Sequence, residues 1–313
     1  MAAMQTDILA DNIRTMIHEA GGVAVGFAPL REVPSDIFDR YLSWLDAGCN
    51  ASMDYLARNI DIRRNPALLL GDGSDRRPGG TVISVAFPYF AGNPYREGRL
   101  RIARYALGDD YHERLRKRLQ PVARHITAET GHQARICVDT APILERYWAL
   151  EAGVGFIGRN RQLIIPDKGG CFFLAEIVTR AVLPPDKPCT LTCGECDRCL
   201  RACPGHALSH DRLDARACHS YLTIEHRGDL PDGVYLRRGA LYGCDVCLEV
   251  CPLCREAEPA EPLPEFNPRD TLLDLTPERV KSLTPDEYAL LFRRSPVKRA
   301  KLAGLLRNLR YLP

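Results

Sequence analysis

Apolar residues recur at helical spacing from residue 4 to 20, where Ile8, Leu9, Ile13, Met16 and Ile17 share one face and Gly21-Gly22 ends the run. That pattern predicts an amphipathic helix. A short apolar segment follows at 23–27, and two further helical patterns carry Ile37, Tyr41, Leu42 and Leu45, then Met53, Tyr55 and Leu56. Residues 81–87 (TVISVAF) are rich in β-branched side chains and bounded by Gly79-Gly80 and Pro88, which predicts a buried strand. Leu115, Leu119, Val122 and Ile126 form a stripe opposed by Arg and Lys, interrupted by Pro121. Further strands are expected at 134–138, 162–165 and 172–178, with a helix from about 142 to 152. Strands alternating with helices over residues 1–180 predict an α/β (or α+β) domain, its sheet parallel or mixed.

Beyond it the pattern changes. Residues 252–270 hold Pro252, Pro259, Pro262, Pro264 and Pro268 among acidic residues and read as a linker or wrapping arm, followed by two short helical patterns up to Pro313. The formal charge of the 313 residues is only +2, so a polyanionic partner would have to meet a local patch. The first twenty residues have no continuous apolar stretch of signal-peptide type, and no segment approaches the ~20 apolar residues of a membrane span. The expectation is a cytoplasmic protein with no membrane association.

Thirteen cysteines are then unusual, because cytosolic thiols serve as thiols, metal ligands or catalysts. Cys193, Cys196, Cys199 and Cys203-Pro204 form C-x2-C-x2-C-x3-C-P, the bacterial ferredoxin spacing, whose fourth cysteine ligates the other cluster of a pair. A second run, Cys244, Cys247 and Cys251-Pro252, lacks one cysteine, with Leu241 where the full motif would begin. By the crossover rule Cys251 completes the first [4Fe–4S] cluster, and the second takes Cys203, Cys244, Cys247 and one more ligand. Cys218, between the two runs, is the best candidate. The competing reading is structural zinc, but zinc sites pair two C-x2-C knuckles, whereas here two runs end in Cys-Pro. Cys49, Cys137 and Cys171 read as small core residues, and Cys189 and Cys254 as packing or reserve ligands. No G-x-G-x-x-G stands at a strand–helix junction, and no phosphate-binding loop motif is present.

Asp139 ends an apolar strand in Val138-Asp139-Thr140-Ala141-Pro142-Ile143-Leu144-Glu145-Arg146. It reads either as a helix N-cap with Pro142 in the first turn, or as an acid kept neutral by a shielded pocket and able to donate a proton. The glycines of Gly153-Val154-Gly155-Phe156-Ile157-Gly158 read as a turn, or as a backbone surface for a flat ligand. After residue 292, Arg293, Arg294, Lys298, Arg299, Lys301, Arg307 and Arg310 meet no Asp or Glu within the segment, which favours a phosphate-bearing partner.

Jointly the VDTAPILER, GVGFIGRN, CFFLAEIVT, CGECDRCLRACP, CHSYLTIEHRG, YGCDVCLEVCP and SPVKRAKLAGLLRN segments resemble the epoxyqueuosine reductase family. The resemblance implies a cobalamin-binding domain at 1–180, an inserted ferredoxin-like module with two [4Fe–4S] clusters at 181–256, and a linker with a basic helical tail at 257–313. It implies reduction of epoxyqueuosine to queuosine in the anticodon loop of tRNA, with Asp139 as proton donor and Cys218 as the remaining cluster ligand. Arg63, Ser220 and the Gly243-Cys244-Asp245 turn would line the cobalamin, which the family binds without a protein histidine on cobalt. His226 and Arg227 would meet tRNA beside Lys298, Arg299 and Lys301, and an external donor such as a flavodoxin or ferredoxin would supply electrons. Many members carry a C-terminal helical-repeat extension that this chain lacks. A reductive-dehalogenase-like corrinoid enzyme and a non-enzymatic ferredoxin-type carrier are the alternatives.

Overall fold

The computed structural model describes residues 2–71, 79–237 and 239–313. Helix α1 (Ala2–Glu19) forms on the expected stripe and buries Ile13 and Ile17. Strand β1 (Ala24–Pro29) follows, then α2 (Ser35–Asp46) and α3 (Ile60–Arg64). The helical pattern around Tyr55 is only a 3₁₀ turn, Asp54–Ala57. Next come β2 (Thr81–Pro88), β3 (Arg101–Ile102), α4 (Tyr111–Thr130), β4 (Ala134–Cys137), α5 (Glu145–Glu151), β5 (Phe156–Ile157), β6 (Leu163–Ile164) and β7 (Phe172–Thr179).

Four of these strands make the central sheet, in the order β1-β2-β7-β4, and every neighbouring pair is antiparallel. The domain is therefore α+β, its sheet neither parallel nor mixed. The reading of residues 81–87 as a continuous apolar run has a clear cause: helices cover both faces. Ile83, Val85 and Phe87 meet α1 and α4, whereas Val82 and Ala86 meet α2 and α5. Each such buried side chain contributes roughly 1.5–3 kcal/mol. Helix α4 runs through Pro121 unbroken because Leu115, Leu119, Val122, Ala123 and Ile126 are buried on either side of it. Their burial exceeds the ~3 kcal/mol cost of an interior proline.

The cysteine-rich segment adds α6 (Arg198–Ala202), α7 (His219–Ile224), β8 (Ala240–Tyr242), α8 (Val246–Glu249) and α9 (Pro252–Arg255). It is stitched to the first segment, since β3 and β8 pair in parallel. The proline-rich arm is strapped down: Phe266 enters the sheet's core, Glu265 accepts two bonds from Arg118, and Leu263 fills the space over Gly21. Four helices end the chain: α10 (Asp270–Leu273), α11 (Pro277–Lys281), α12 (Pro285–Leu291) and α13 (Lys301–Arg310). Val280, Phe292, Val297 and Leu305 from this region share a core with Leu100, Ile102, Leu241 and Tyr242. Among the described residues no helix is long and apolar enough to cross a membrane.

Candidate active site

The cysteines of the first expected set share one cavity, and those of the second bear electrostatically on one another. Cys193, Cys196, Cys199 and Cys251 line one cavity of about 130 Å³ between the loop before α6 and the start of α9. The Arg159 N–H donates to Cys193 Sγ there at 3.4 Å. The second set is Cys203, Cys218, Cys244 and Cys247. Burial pushes the Cys244 thiol up to about 12, the Val246 N–H partly offsets this, and nearby Cys218 and Cys203 raise it further. Cys247 is raised well above its usual value by burial and by Cys244 and Cys218. Bare thiolates are therefore disfavoured at these two positions. Leu241, which stands in place of the missing cysteine, is fully buried in the tail's core. Cys49, Cys137 and Cys171 are buried, and Cys254 lies against Cys251.

Asp139 does not cap a helix. Helix α5 starts at Glu145 with Leu144 as its N-cap, three residues later than expected, because residues 138–144 close two tight turns instead. Thr140 N–H bonds to Val138 O, and Ile143 N–H to Ala141 O. Asp139 itself has φ +54°. The acid that does cap a helix is Asp110, whose carboxylate accepts the His112 N–H at the start of α4.

That capping places His112 between two carboxylates. Its Nδ1 lies 2.6 Å from Asp110 Oδ1 and its Nε2 lies 2.9 Å from Asp139 Oδ2. Burial alone would lower the His112 pKa, but the bonds and charges of Asp110 and Asp139 push it up to about 9. Burial would raise Asp139, yet the His112 bond and charge, with the Tyr111 hydrogen bond, hold it below the usual carboxylate range. The expected neutral Asp139 is thus an anion at neutral pH, and its proton sits one bond away on His112. Tyr111 stacks on His112 with centroids 4.2 Å apart and on Phe173 at 4.3 Å, which fixes the ring. The signal lay in Asp110-Tyr111-His112, an acid and an imidazole two residues apart at a helix start.

Aromatic side chains surround the relay. Asp139 keeps 54% of its side-chain surface open. Tyr55 senses Glu225, Arg299, Asp139 and Arg63, and burial first, then Glu225, pushes it up to about 12. Arg63 is 8% exposed and donates to Arg58 O and Tyr55 O, so it braces the Tyr55 turn. Ser220, half-buried on α7, is two residues from Cys218. Gly243 needs its φ of +72° and gives its N–H to Thr223 Oγ1. Asp245 turns inward and accepts from Tyr95 Oη and the Arg104 N–H, both at 2.8 Å.

The tail differs from the row of unopposed charges read in the sequence. Arg299 makes a bidentate pair with Glu225 at 2.9 and 2.8 Å, and Arg310 pairs with Asp229. Arg307 is 5% exposed and donates to Leu222 O, His226 O and Gly228 O, so it fastens the loop that carries His226 and Arg227. His226 Nε2 bonds to Asp229 O, and Arg227 donates to Ile224 O and Arg299 O. Lys298 and Lys301 are exposed, and among the described residues neither forms an ion pair.

Residues 192–253 match the 4Fe-4S double cluster binding domain. Residues 78–140 match the family described as epoxyqueuosine reductase QueG, DUF1730. The epoxyqueuosine reductase of Xanthomonas campestris pv. campestris is 37% identical over 310 residues, which cover 96% of this chain and 85% of that protein. The structure of epoxyqueuosine reductase from Streptococcus thermophilus is similar with a TM-score of 0.83 and 26% identity, covering 95% of this chain and 79% of that one. A crystal structure of epoxyqueuosine reductase with an epoxyqueuosine-modified tRNA-Tyr stem loop gives 0.85 and 25%, covering 96% of this chain and 80% of that one. Fold, cysteine sets and matches together define an iron–sulfur oxidoreductase with two [4Fe–4S] clusters. The chain belongs to the epoxyqueuosine reductase family.

Proposed function

We propose that the chain reduces epoxyqueuosine to queuosine in tRNA, using cobalamin and its two [4Fe–4S] clusters. The observation that carries the acid–base part is the Asp110–His112–Asp139 relay, exposed at its Asp139 end. His112 also bears on the fit of cobalamin: both its nitrogens are committed to carboxylates, which agrees with a cobalt that takes no protein imidazole. Arg63, Ser220 and the Gly243–Asp245 turn would hold the corrin, Asp245 by shaping the turn from inside. Cobalamin, when bound, supplies the reducing centre for the epoxide carbon.

The net change breaks both epoxide carbon–oxygen bonds and forms a carbon–carbon double bond. Two electrons and two protons are consumed, and the oxygen leaves as water. The departing oxyanion is a poor leaving group at neutral pH, so a positioned acid contributes. Asp139 receives the His112 proton through its Oδ2 and passes it to that oxygen, while Asp110 stabilises the imidazolium. Cys193, Cys196, Cys199 and Cys251 would hold one cluster, and Cys203, Cys218, Cys244 and Cys247 the other.

The division of labour we favour assigns 1–180 to cobalamin, 181–256 to the clusters and 257–313 to the arm and basic tail. In the tail Lys298 and Lys301 would reach tRNA phosphates directly. Arg299, paired with Glu225, and the loop of His226 and Arg227 would form the edge beside them. A flavodoxin or ferredoxin in the cytoplasm would donate the electrons. The test is Asp139→Asn, which keeps an acceptor oxygen but delivers no proton. Queuosine formation on modified tRNA should fall by roughly two to four orders of magnitude with iron content unchanged. Near-normal turnover would remove Asp139 from the mechanism, and turnover of a small halogenated substrate instead of tRNA would favour the dehalogenase-like alternative.

A further inference from the structure

We infer that Glu145 is a positioning residue that latches the Asp139 loop in its reacting conformation. The inference rests on the acid role proposed for Asp139. Asp139 holds a left-handed backbone, φ +54°, which a non-glycine residue adopts at a cost and keeps only when its surroundings hold it. The bonds within residues 138–143 are two tight turns that tie the loop to itself and not to the sheet. Anchorage to the rest of the fold comes from four side chains. His112 and Tyr111 grip the Asp139 carboxylate, Arg116 donates to Thr140 Oγ1, and the Glu145 Oε1 accepts the Asp139 N–H at 2.5 Å. Of these, only the Glu145 bond acts on the Asp139 peptide itself, where the strained torsion lies.

Beneath the latch lies a carboxyl group that the reaction does not use. Glu176 is fully buried on β7, opposite Ser84 of β2 and Cys137 of β4. Its Oε1 accepts from Ser84 Oγ at 3.2 Å, and among the described residues its Oε2 has no partner. Such a group is held protonated: burial and the neighbouring charge of Glu145 both push it far up. Burial and Asp139 likewise push Glu145 up to about 8, against the opposing effects of the Asp139 N–H, Arg146 and His112. The groups facing Glu145 are thus Asp139, His112, Arg146, Glu176, Tyr111 and the Cys137 thiol, which senses both glutamates. At neutral pH the latch grips Asp139 without placing a second negative charge beside it. In alkaline solution Glu145 ionises, and like-charge repulsion acts against the Asp139 carboxylate that it holds.

The test compares Glu145→Ala, Glu145→Gln and Glu176→Gln in the reconstituted full-length protein. Hydrogen exchange of the peptide spanning Asp139 and Thr140 reads the latch without any substrate. Glu145→Ala should speed exchange there and lower the single-turnover rate by up to about a hundredfold, the scale of a small misplacement, with the KM for tRNA little changed. Glu145→Gln keeps an acceptor oxygen and should restore protection and neutral-pH rate, and its alkaline limb should move to higher pH because one ionisation is gone. Glu176→Gln, neutral and nearly isosteric, should leave protection at neutral pH intact. Unchanged exchange in Glu145→Ala overturns the latch, as does a Gln variant as impaired as Ala. If the Ala variant does not fold, the alkaline limb of the Gln variant decides: a limb that does not move overturns the proposal. Absence of turnover by the unaltered protein would sink the proposed reaction, while the exchange data would still report on the latch.

Discussion

Replacing His112 with Gln tests where the catalytic proton is kept. Gln can still hydrogen-bond to Asp110 and Asp139 but cannot carry a proton between them. In the structure the two carboxylates raise His112 from its model-compound 6.5 to about 9. At 1.36 kcal/mol per unit, this couples the imidazolium to its partners by about 3 kcal/mol. The depression of Asp139 is the same interaction seen from the other side and is counted once. Because the folded pKa is raised, this stabilisation is fully present below pH 6.5 and is lost as pH rises through about 9. The reaction follows the same proton, so single-turnover queuosine formation should hold across neutral pH, weaken as Glu145 ionises near 8 and be lost as pH passes about 9. In His112→Gln the neutral-pH rate should fall by roughly two to four orders of magnitude, the usual span for general acid catalysis, and the step near 9 should vanish, leaving the limb set by Glu145 near 8. The assay is rapid-quench turnover of modified tRNA across that pH range, with iron content checked in parallel. A variant that keeps the wild-type rate and the wild-type alkaline decline would refute the relay.

Three further outcomes follow from the same geometry. Cys218→Ala should degrade one cluster and spare the other, and Mössbauer or EPR spectra with both clusters intact would overturn its assignment as a ligand. Reversing Lys298 and Lys301 to Glu should weaken tRNA binding and flatten its salt dependence. Identical affinity at two salt concentrations would return those lysines to ordinary solvated surface. Arg307→Ala should instead destabilise the fold by about 1–3 kcal/mol, because buried carbonyls lose their donor. Denaturation curves matching wild type would contradict that buried role.

Local pattern and long-range contact account for what could be read in advance. The strands expected at 81–87 and 172–178 form at Thr81–Pro88 and Phe172–Thr179, since a strand covered on both faces is apolar throughout. Their antiparallel pairing was not legible, because nothing in either segment says which neighbour it meets. The cysteine runs were legible because cluster spacing is local, and the crossover rule brought in Cys251 from farther along the chain. The helix start near Asp139 was misplaced by forces that spacing does not carry: His112 lies 27 residues away, and the Glu145 side chain turns back onto the loop before the helix begins. The tail misled for the same reason. Its charges met no acid nearby in sequence, but Glu225 lies 74 residues from Arg299 and Asp229 lies 81 from Arg310.

The central claim is that this fold, loaded with its clusters and cobalamin, removes one oxygen atom from a modified base in tRNA. Anaerobically purified protein, with and without added cobalamin, should be given a chemical reductant and epoxyqueuosine-containing tRNA. Nucleosides from the digested tRNA should then be weighed by mass spectrometry. The account predicts conversion of epoxyqueuosine to a species lighter by one oxygen, dependent on cobalamin and on both cysteine sets. Epoxyqueuosine left unchanged by protein that carries its full iron and cobalt would contradict it.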